Sequence, residues 1–213
     1  MEEERKESFI TDPSRIEAES FAIIDRELKE RGITLPEAYA PVIKRCIHTT
    51  ADFDYAENLV FTEGALEAGL DALRAGADIV TDTRMAMAGI SRRVLERYGG
   101  RLRCSMADED VAEAARREGI TRAAAGVDKA AREGGNFIYA VGNAPTALLR
   151  LHELISEGRI RPALIIAVPV GFVNVTAAKE LILQDPVPVI AARGRKGGST
   201  VAACICNALL YQL

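Results

Sequence analysis

The residues with the most evident chemical potential lie in one short stretch, CIHTTADFDY, at positions 46–55. The seven positions that begin at His48 hold a histidine, two threonines and two aspartates. The chain has one other histidine, His152, in a run typical of an ordinary amphipathic helix, which indicates a structural role. His48 is compatible with a metal ligand, part of a nucleophile's relay, a proton donor or a residue that ends a helix. The stretch alone does not separate these roles.

His48 is predicted to stand near the carboxyl end of a helix. Apolar residues at spacings of three and four predict a helix from Pro36 to about His48. The carbonyl dipoles at that end of a helix favour a positively charged imidazole. Four following residues carry a hydroxyl or a carboxylate that would orient the ring through its second nitrogen: Thr49, Thr50, Asp52 and Asp54.

The rest of the sequence predicts the elements that position this stretch. An earlier helix is predicted over residues 13–31. Short β-rich runs predict five strands: Ala77–Val80, Leu102–Cys104, Phe137–Val141, Ala163–Val168 and Val187–Ala191. They alternate with six helical stretches: 65–75, 108–118, 122–133, 146–157, 176–184 and 199–212. The alternation predicts a single doubly wound α/β domain over residues 1–213, with a mostly parallel sheet flanked by helices, a helical N-terminal entry and a flexible segment over residues 1–12.

Composition and charge narrow the class of protein. A net charge of −4 and a pI near 5.4 speak against a nucleic-acid-binding protein. The cysteines at 46, 104, 204 and 206 form no CxxC pair, so buried, reduced thiols are expected, and no metal site. A charged N-terminus and interrupted apolar runs predict neither a signal peptide nor a membrane span. We therefore expect a cytoplasmic protein.

Three loops that follow predicted strands have a composition suited to anion binding. These rim loops are VGNAPT (141–146), PVGFVNVT (169–176) and ARGRKGGST (192–200). Each contains glycine and enters a helix, whose N-terminal N–H groups attract anions. Four side chains are the candidate ligands of this edge: Asn143, Arg193, Arg195 and Lys196. Ordinary strand-to-helix turns with capping residues are the alternative.

The rim loops match no nucleotide-binding motif. GRKGGST has the wrong order for a P-loop, and none of the loops contains GxGxxG. A phosphate- or nucleotide-binding α/β enzyme stays open as a weaker alternative.

Six segments together resemble the precorrin-8X methylmutase family of cobalamin biosynthesis. They occur in the family's order between about Ile16 and Leu209: IHTTADFDYAENLVF, VTDTRMAMAGI, TRAAAG, VGNAPTALLRL, PVGFVNVTAAKE and RGRKGGSTVAACICNAL. The chain departs from the family at Ala177 and Ala178, where an acidic residue and a serine are usual. The departure leaves the role of the next two residues, Lys179 and Glu180, open.

The resemblance implies an isomerase that moves a methyl group from ring carbon 11 to ring carbon 12 of a tetrapyrrole. The substrate would be precorrin-8X or its cobalt-containing form, and the product hydrogenobyrinate or cobyrinate. The shift is intramolecular and needs no cofactor. The substrate's acetate and propionate groups would suit the basic rim loops. The resemblance also implies a homodimer with active sites near the subunit interface. A corrinoid-binding protein without catalytic activity is a further alternative.

The resemblance assigns roles to four residues. His48 matches the family's proposed catalytic acid, which would set the protonation state of the conjugated ring. A side chain that titrates near neutral pH suits this task. Ser20 matches a position close to the substrate, although it is otherwise an ordinary helix serine. Arg122 matches a substrate-binding arginine, with a first-turn surface charge as the alternative. Thr83 would hydrogen-bond the ring, unless it only caps a helix.

The helix predicted at 199–212 gives a second reason to expect a homodimer. Its sequence, STVAACICNALLYQ, is apolar on nearly every side. A helix of this kind must be covered all round, either by its own domain or by a partner subunit.

Overall fold

The computed structural model describes residues 10–213, and residues 1–9 of the predicted flexible segment lie outside the described residues. The described part contains eleven helices: α1 (Pro13–Glu30), α2 (Ala40–Thr50), α3 (Tyr55–Asn58), α4 (Ala65–Arg74), α5 (Arg84–Gly89), α6 (Arg92–Arg97), α7 (Glu109–Glu118), α8 (Arg122–Glu133), α9 (Pro145–Ser156), α10 (Val175–Ile182) and α11 (Ser199–Leu210). It also contains six strands: β1 (Leu59–Phe61), β2 (Asp78–Thr81), β3 (Leu102–Arg103), β4 (Phe137–Val141), β5 (Leu164–Ala167) and β6 (Val189–Ala192).

The strands form one sheet in the order β1-β6-β5-β4-β2-β3. The five strands β2 to β6 pair in parallel, and β1 joins the edge of β6 antiparallel to it. This arrangement confirms the predicted doubly wound α/β fold with a mostly parallel sheet and a helical N-terminal entry.

The strand order places a topological switch point between β2 and β4. After β2 the chain moves outward to β3, and it then returns past β2 to continue through β4, β5 and β6. The connection that leaves β2 and the connection that leaves β4 run in opposite directions along the sheet, which leaves a crevice beyond the carboxyl ends of these two strands. Ligands of open α/β sheets bind in such crevices. We call the edge formed by the carboxyl ends of β2, β4, β5 and β6 the carboxyl edge.

Helices cover both faces of the sheet. The central strands β4 and β5 are buried at every position, so each face needs such a cover. Side chains alternate between the faces, so Ile138 and Ala140 face one core while Tyr139 and Val141 face the other. Helices α1, α2, α4, α5 and α11 contribute to the first core, and α8, α9 and α10 contribute to the second.

Four short elements were not predicted from the sequence. They are α3, β1, α5 and α6, which have three to six residues each. Runs of this length show too little periodicity to be recognised as helix or strand. β1 follows the CIHTTADFDY stretch and pairs at Leu59 with Ala192, which brings the stretch to the carboxyl edge.

Helix α11 is buried within its own chain. Ten of its twelve residues are buried, against α2, α4, α5 and the sheet. Its apolar surface therefore needs no partner subunit, and that particular reason for expecting a homodimer is removed.

No helix within residues 10–213 is long and apolar enough to cross a membrane.

Candidate functional site

A buried carboxylate organises the switch point. Asp82 directly follows β2 and is only 2% exposed. Its oxygens accept hydrogen bonds from three successive backbone N–H groups, those of Gly142 (2.8 Å), Asn143 (2.8 Å) and Ala144 (2.7 Å). Burial raises the pKa of Asp82, and the three N–H donors act in the opposite direction. The carboxylate therefore joins the end of β2 to the loop that enters α9.

This contact limits the anion-binding capacity predicted for the first rim loop. The helix N-termini of the rim loops were expected to present free N–H groups to an anion, whereas the N–H groups of residues 142–144, directly before α9, already donate to Asp82. Asn143 is exposed at the predicted edge, with its backbone committed to Asp82. Sequence reasoning missed Asp82, although an acidic residue directly after a strand, in VTDT, was the available signal.

Thr83 caps a helix and also contacts the start of another helix. Its hydroxyl accepts a hydrogen bond from the Ala86 N–H (3.0 Å) at the start of α5. The same oxygen lies 2.8 Å from the Ser199 hydroxyl at the start of α11. Ser199 is a further residue that sequence reasoning missed. It also lies against Gly142, because a Cβ added at Gly142 would stand 2.7 Å from the Ser199 Cα. The helix-cap alternative for Thr83 is thus realised, at the switch point itself.

His48 lines a cavity between α1 and α2. The cavity has a volume of about 470 Å³ and is also lined by Ser20 and Phe53. The His48 ring is exposed and stacks on Phe21, with centroids 5.2 Å apart and an interplanar angle of 19°. The Ser20 hydroxyl donates to the Ile16 carbonyl (2.8 Å), as an ordinary helix serine does. The structure therefore brings together Ser20 and His48, two of the predicted site residues.

Neighbours predicted to orient the His48 ring have other partners. The Thr49 hydroxyl donates to Cys204 Sγ (3.1 Å), and the Thr50 hydroxyl donates to the Cys46 carbonyl (2.7 Å). The ring instead keeps its orientation by stacking on Phe21.

Asp52 and Asp54, the other two predicted neighbours, bind Lys196. Its ammonium lies 2.5 Å from Asp52 Oδ2 and 2.6 Å from Asp54 Oδ2. Its hydrogen bond lowers the pKa of Asp52, and the two carboxylates raise the pKa of Lys196. Lys196 thus joins the segment after His48 to the third rim loop.

The basic loop, residues 193–198, carries the three predicted cations in different settings. Arg193 is exposed and forms an ion pair with Glu180 (Nε–Oε1, 3.3 Å). The Arg195 guanidinium lies over the ring of Phe172, 5.3 Å from its centroid. Lys196 is committed to Asp52 and Asp54. Arg195 is therefore the cation of this loop whose described contact is an exposed aromatic ring, not a carboxylate.

Arg122 is the exposed first residue of α8. The preceding residue, Thr121, shares a hydrogen bond with Thr146 (2.8 Å) in the first turn of α9, the helix that follows β4. This contact places Arg122 beside the carboxyl edge. Both the predicted substrate-binding role and a first-turn surface charge are compatible with this position.

The predicted residues therefore form three groups and not one enclosed cavity. Ser20 and His48 line the cavity beside α2, Thr83 and Asn143 lie at the switch point near Arg122, and the three cations lie on the basic loop. Lys196 connects the last group to the His48 segment.

The four cysteines are free, and three of them are buried. A hydrogen bond with Cys46 lowers the pKa of Cys204, whereas burial raises the pKa of Cys206. Among residues 10–213, no three His, Cys, Asp or Glu side chains are grouped so that they would hold a metal ion.

Comparison with known proteins gives a family for this fold and these residues. The sequence profile described as precorrin-8X methylmutase matches residues 15–212. The chain belongs to the precorrin-8X methylmutase family. It is thus an isomerase of cobalamin biosynthesis, from a family of enzymes that transfer a methyl group within one molecule.

Individual members of the precorrin-8X methylmutase family are similar over nearly their whole length. Cobalt-precorrin-8 methylmutase of Salmonella typhimurium is 46% identical, over 96% of this chain and 98% of that protein. Precorrin-8X methylmutase of Pseudomonas aeruginosa is 38% identical, over 94% and 96%. The crystal structure of precorrin-8X methylmutase from Thermus thermophilus superposes with a TM-score of 0.83 at 43% identity, over 92% of this chain and 96% of that one.

Replacement of Asp82 tests its structural role at the switch point. Asp82→Asn should lower the free energy of unfolding by about 1–3 kcal/mol, because an amide leaves buried N–H donors without an acceptor. Urea denaturation measures this change. Asp71→Asn is the control, since Asp71 is exposed and pairs with Arg74 on its own helix, and it should change stability by less than about 0.5 kcal/mol. Equal effects of the two substitutions would contradict the role given to Asp82.

Proposed function

We propose that the protein moves a methyl group from ring carbon 11 to ring carbon 12 of precorrin-8X or cobalt-precorrin-8. In this reaction the methyl–carbon bond at ring carbon 11 breaks and a bond to ring carbon 12 forms. The methyl group stays on the same molecule, so the reaction requires no acceptor. Relatives named for the metal-free and for the cobalt-containing substrate both match the chain.

The observation that carries the proposal is the position of His48. Its ring is exposed at the end of α2 and lines a cavity that also holds Ser20. Stacking on Phe21 limits the ring's rotation while leaving it accessible. A general acid must reach the atom it protonates within hydrogen-bonding distance. We propose that His48 gives a proton to the conjugated macrocycle and so selects the form in which the methyl group migrates. After the migration the macrocycle returns a proton to His48, so that substrate and product remain isomers.

Basic side chains at the carboxyl edge would hold the substrate's carboxylates. Arg195 and Arg122 are exposed. Guanidinium groups bind carboxylates through paired hydrogen bonds. Phe172, below Arg195, is 82% exposed and offers a flat apolar surface to the macrocycle. An apolar ring surrounded by acidic arms matches this combination of side chains.

A phosphate- or nucleotide-binding function is less well supported. A phosphate at the switch point would need the free N–H groups that follow β4. Asp82 accepts hydrogen bonds from the N–H groups of Gly142, Asn143 and Ala144, which follow β4. Its negative charge would also repel a second anion.

Replacement of His48 tests the proposed reaction. Wild-type protein incubated with each of the two substrates should convert at least one, which a change in the absorption spectrum reports. His48→Ala should lower kcat by about 10²–10⁴-fold, the usual contribution of a positioned general acid. Affinity for the product and the unfolding temperature should stay near their wild-type values.

The other histidine provides the control. His152 lies on α9 and forms a pair with Asp185 (Nδ1–Oδ1, 2.9 Å). His152→Gln should leave turnover within a few-fold of wild type. Turnover at that level in folded His48→Ala would remove His48 from the mechanism. Binding of product without turnover by wild-type protein would instead favour the non-catalytic corrinoid-binding alternative.

Replacement of the exposed arginines tests substrate binding. Arg195→Ala and Arg122→Ala should each weaken product affinity about ten-fold, because a hydrogen bond to a charged group contributes about 1.5–3 kcal/mol. The loss should shrink as salt rises, since salt screens exposed charges. Arg74→Ala is the control: this exposed residue ends α4 before β2 begins, at the opposite edge of the sheet. Unchanged affinity in both test variants would mean that the basic edge is only a solvated surface.

We also propose that the working unit is a homodimer. Exposed large apolar side chains support it, including Met85 (70%), Phe172 (82%) and Val173 (77%). Met85 follows the switch point and the other two follow β5. The three groups of site residues lie on an open surface, which a second subunit would cover around a broad, flat substrate.

Sedimentation equilibrium tests the oligomeric state. The particle should have twice the 23.0 kDa mass of one chain at the concentrations at which the enzyme is active. A species of 23.0 kDa at all concentrations, with full activity, would contradict the dimer.

A further inference from the structure

Lys179 is a fully buried charged residue for which sequence reasoning found no role. It lies on α10, and its side chain is 0% exposed. Its ammonium donates hydrogen bonds to two backbone carbonyls of the basic loop, those of Gly194 (3.0 Å) and Lys196 (2.8 Å). Burial lowers the pKa of Lys179 to about 8. Burying an amine has a substantial free-energy cost, so these two bonds indicate a specific requirement for it.

The two carbonyls that Lys179 binds belong to the residues on either side of Arg195. The same loop contacts the loop after β5, because the Gly198 N–H donates to the Val168 carbonyl (2.8 Å) and the Gly171 N–H to the Arg195 carbonyl (3.2 Å). At Gly197 an added Cβ would stand 2.1 Å from the Val168 oxygen. The backbone of the basic loop is thus held on one side by the loop after β5 and on the other by Lys179.

We infer that Lys179 is a positioning residue, which fixes the basic loop so that the Arg195 side chain is directed toward a bound polycarboxylate. This inference rests on the proposed function. Lys179 does not contact the substrate in this arrangement, because its side chain is completely buried. It acts through the Gly194 and Lys196 carbonyls, which set the backbone direction at Arg195.

The physical benefit of this arrangement is preorganisation. A glycine-rich loop has many conformations, and ordering it on binding lowers affinity. A fixed loop keeps the Arg195 guanidinium over Phe172 before the substrate arrives. The neighbouring Glu180 contributes separately, since it forms an exposed ion pair with the Arg193 side chain and does not contact the loop's carbonyls.

The test compares Lys179→Met with Glu180→Gln. Methionine keeps the length and apolar stem of lysine but donates no hydrogen bond. In substrate-free protein, Lys179→Met should speed amide hydrogen exchange in residues 193–198 while the strands exchange as in wild type. Its product affinity should fall by up to about ten-fold, the loss expected when Arg195 itself is removed, because Lys179 acts through that side chain. KM should rise with little change in kcat, which separates the effect from that of His48→Ala. Glu180→Gln should leave both exchange and affinity near wild type.

Lys179→Arg keeps the charge and the donors, and it should restore part of the affinity and the slow exchange. Unchanged exchange in the loop of Lys179→Met would overturn the inference. The inference would also be overturned if exchange increased equally across the sheet. The same holds if exchange in the loop became faster without any loss of product affinity. If Lys179→Met does not fold, Lys179→Arg carries the test. Its loop exchange and its product affinity should then change together, and wild-type exchange with weakened affinity would overturn the inference. Failure of the wild-type enzyme to convert either substrate would count against the proposed function, while the exchange result in substrate-free protein would stand.

Discussion

The hydrogen bonds between Asp82 and the backbone at residues 142–144 are the constraint on which the carboxyl edge depends. In a parallel sheet, the loops that follow neighbouring strands are not connected to each other by the strand pairing. Without a further contact, their conformations would be independent. Asp82 joins the ends of β2 and β4 with three bonds of 2.7–2.8 Å. Because the carboxylate is buried, losing any of these bonds leaves a desolvated group without a partner. Asp82 therefore occupies the N–H groups at the switch point, and the proposed substrate contacts come from side chains around it.

Close backbone contacts extend this order to the neighbouring loops. Gly142 admits the start of α11 near Ser199, and Gly197 admits the Val168 carbonyl, at distances that no side chain would permit. Thr83 then shares a hydrogen bond with Ser199. Helix α11 thus begins in contact with the loops after β2, β4 and β5, which explains the glycines of the segment GRKGGS.

The sequence was sufficient for most of the fold, because the strands and long helices have a clear pattern. Phe137–Val141 forms a strand over the predicted range, and the helix predicted to end near His48 ends at Thr50. The antiparallel strand Leu59–Phe61 was missed, since three residues give no periodicity and its place depends on pairing with β6. The partners of Asp82 and Lys179 were also missed. Both bind backbone groups far away in the sequence, and side-chain types in one sequence carry no information about backbone carbonyls or N–H groups that approach only in the folded chain.

The placement of His48 relative to the basic loop depends more on packing than on charge. Lys196 joins the two regions through Asp52 and Asp54, but its side chain is about half exposed, and solvent screening leaves exposed ion pairs with little effect on stability. Helix α2 instead buries Val42, Ile43, Cys46 and Ile47. Each large apolar side chain of this kind contributes about 1.5–3 kcal/mol when fully buried. The packing of α2 on α11 therefore fixes the height of His48 above the sheet. The ion pairs only align the loop beside it, so core packing determines the position of the proposed general acid although His48 lies on a peripheral helix.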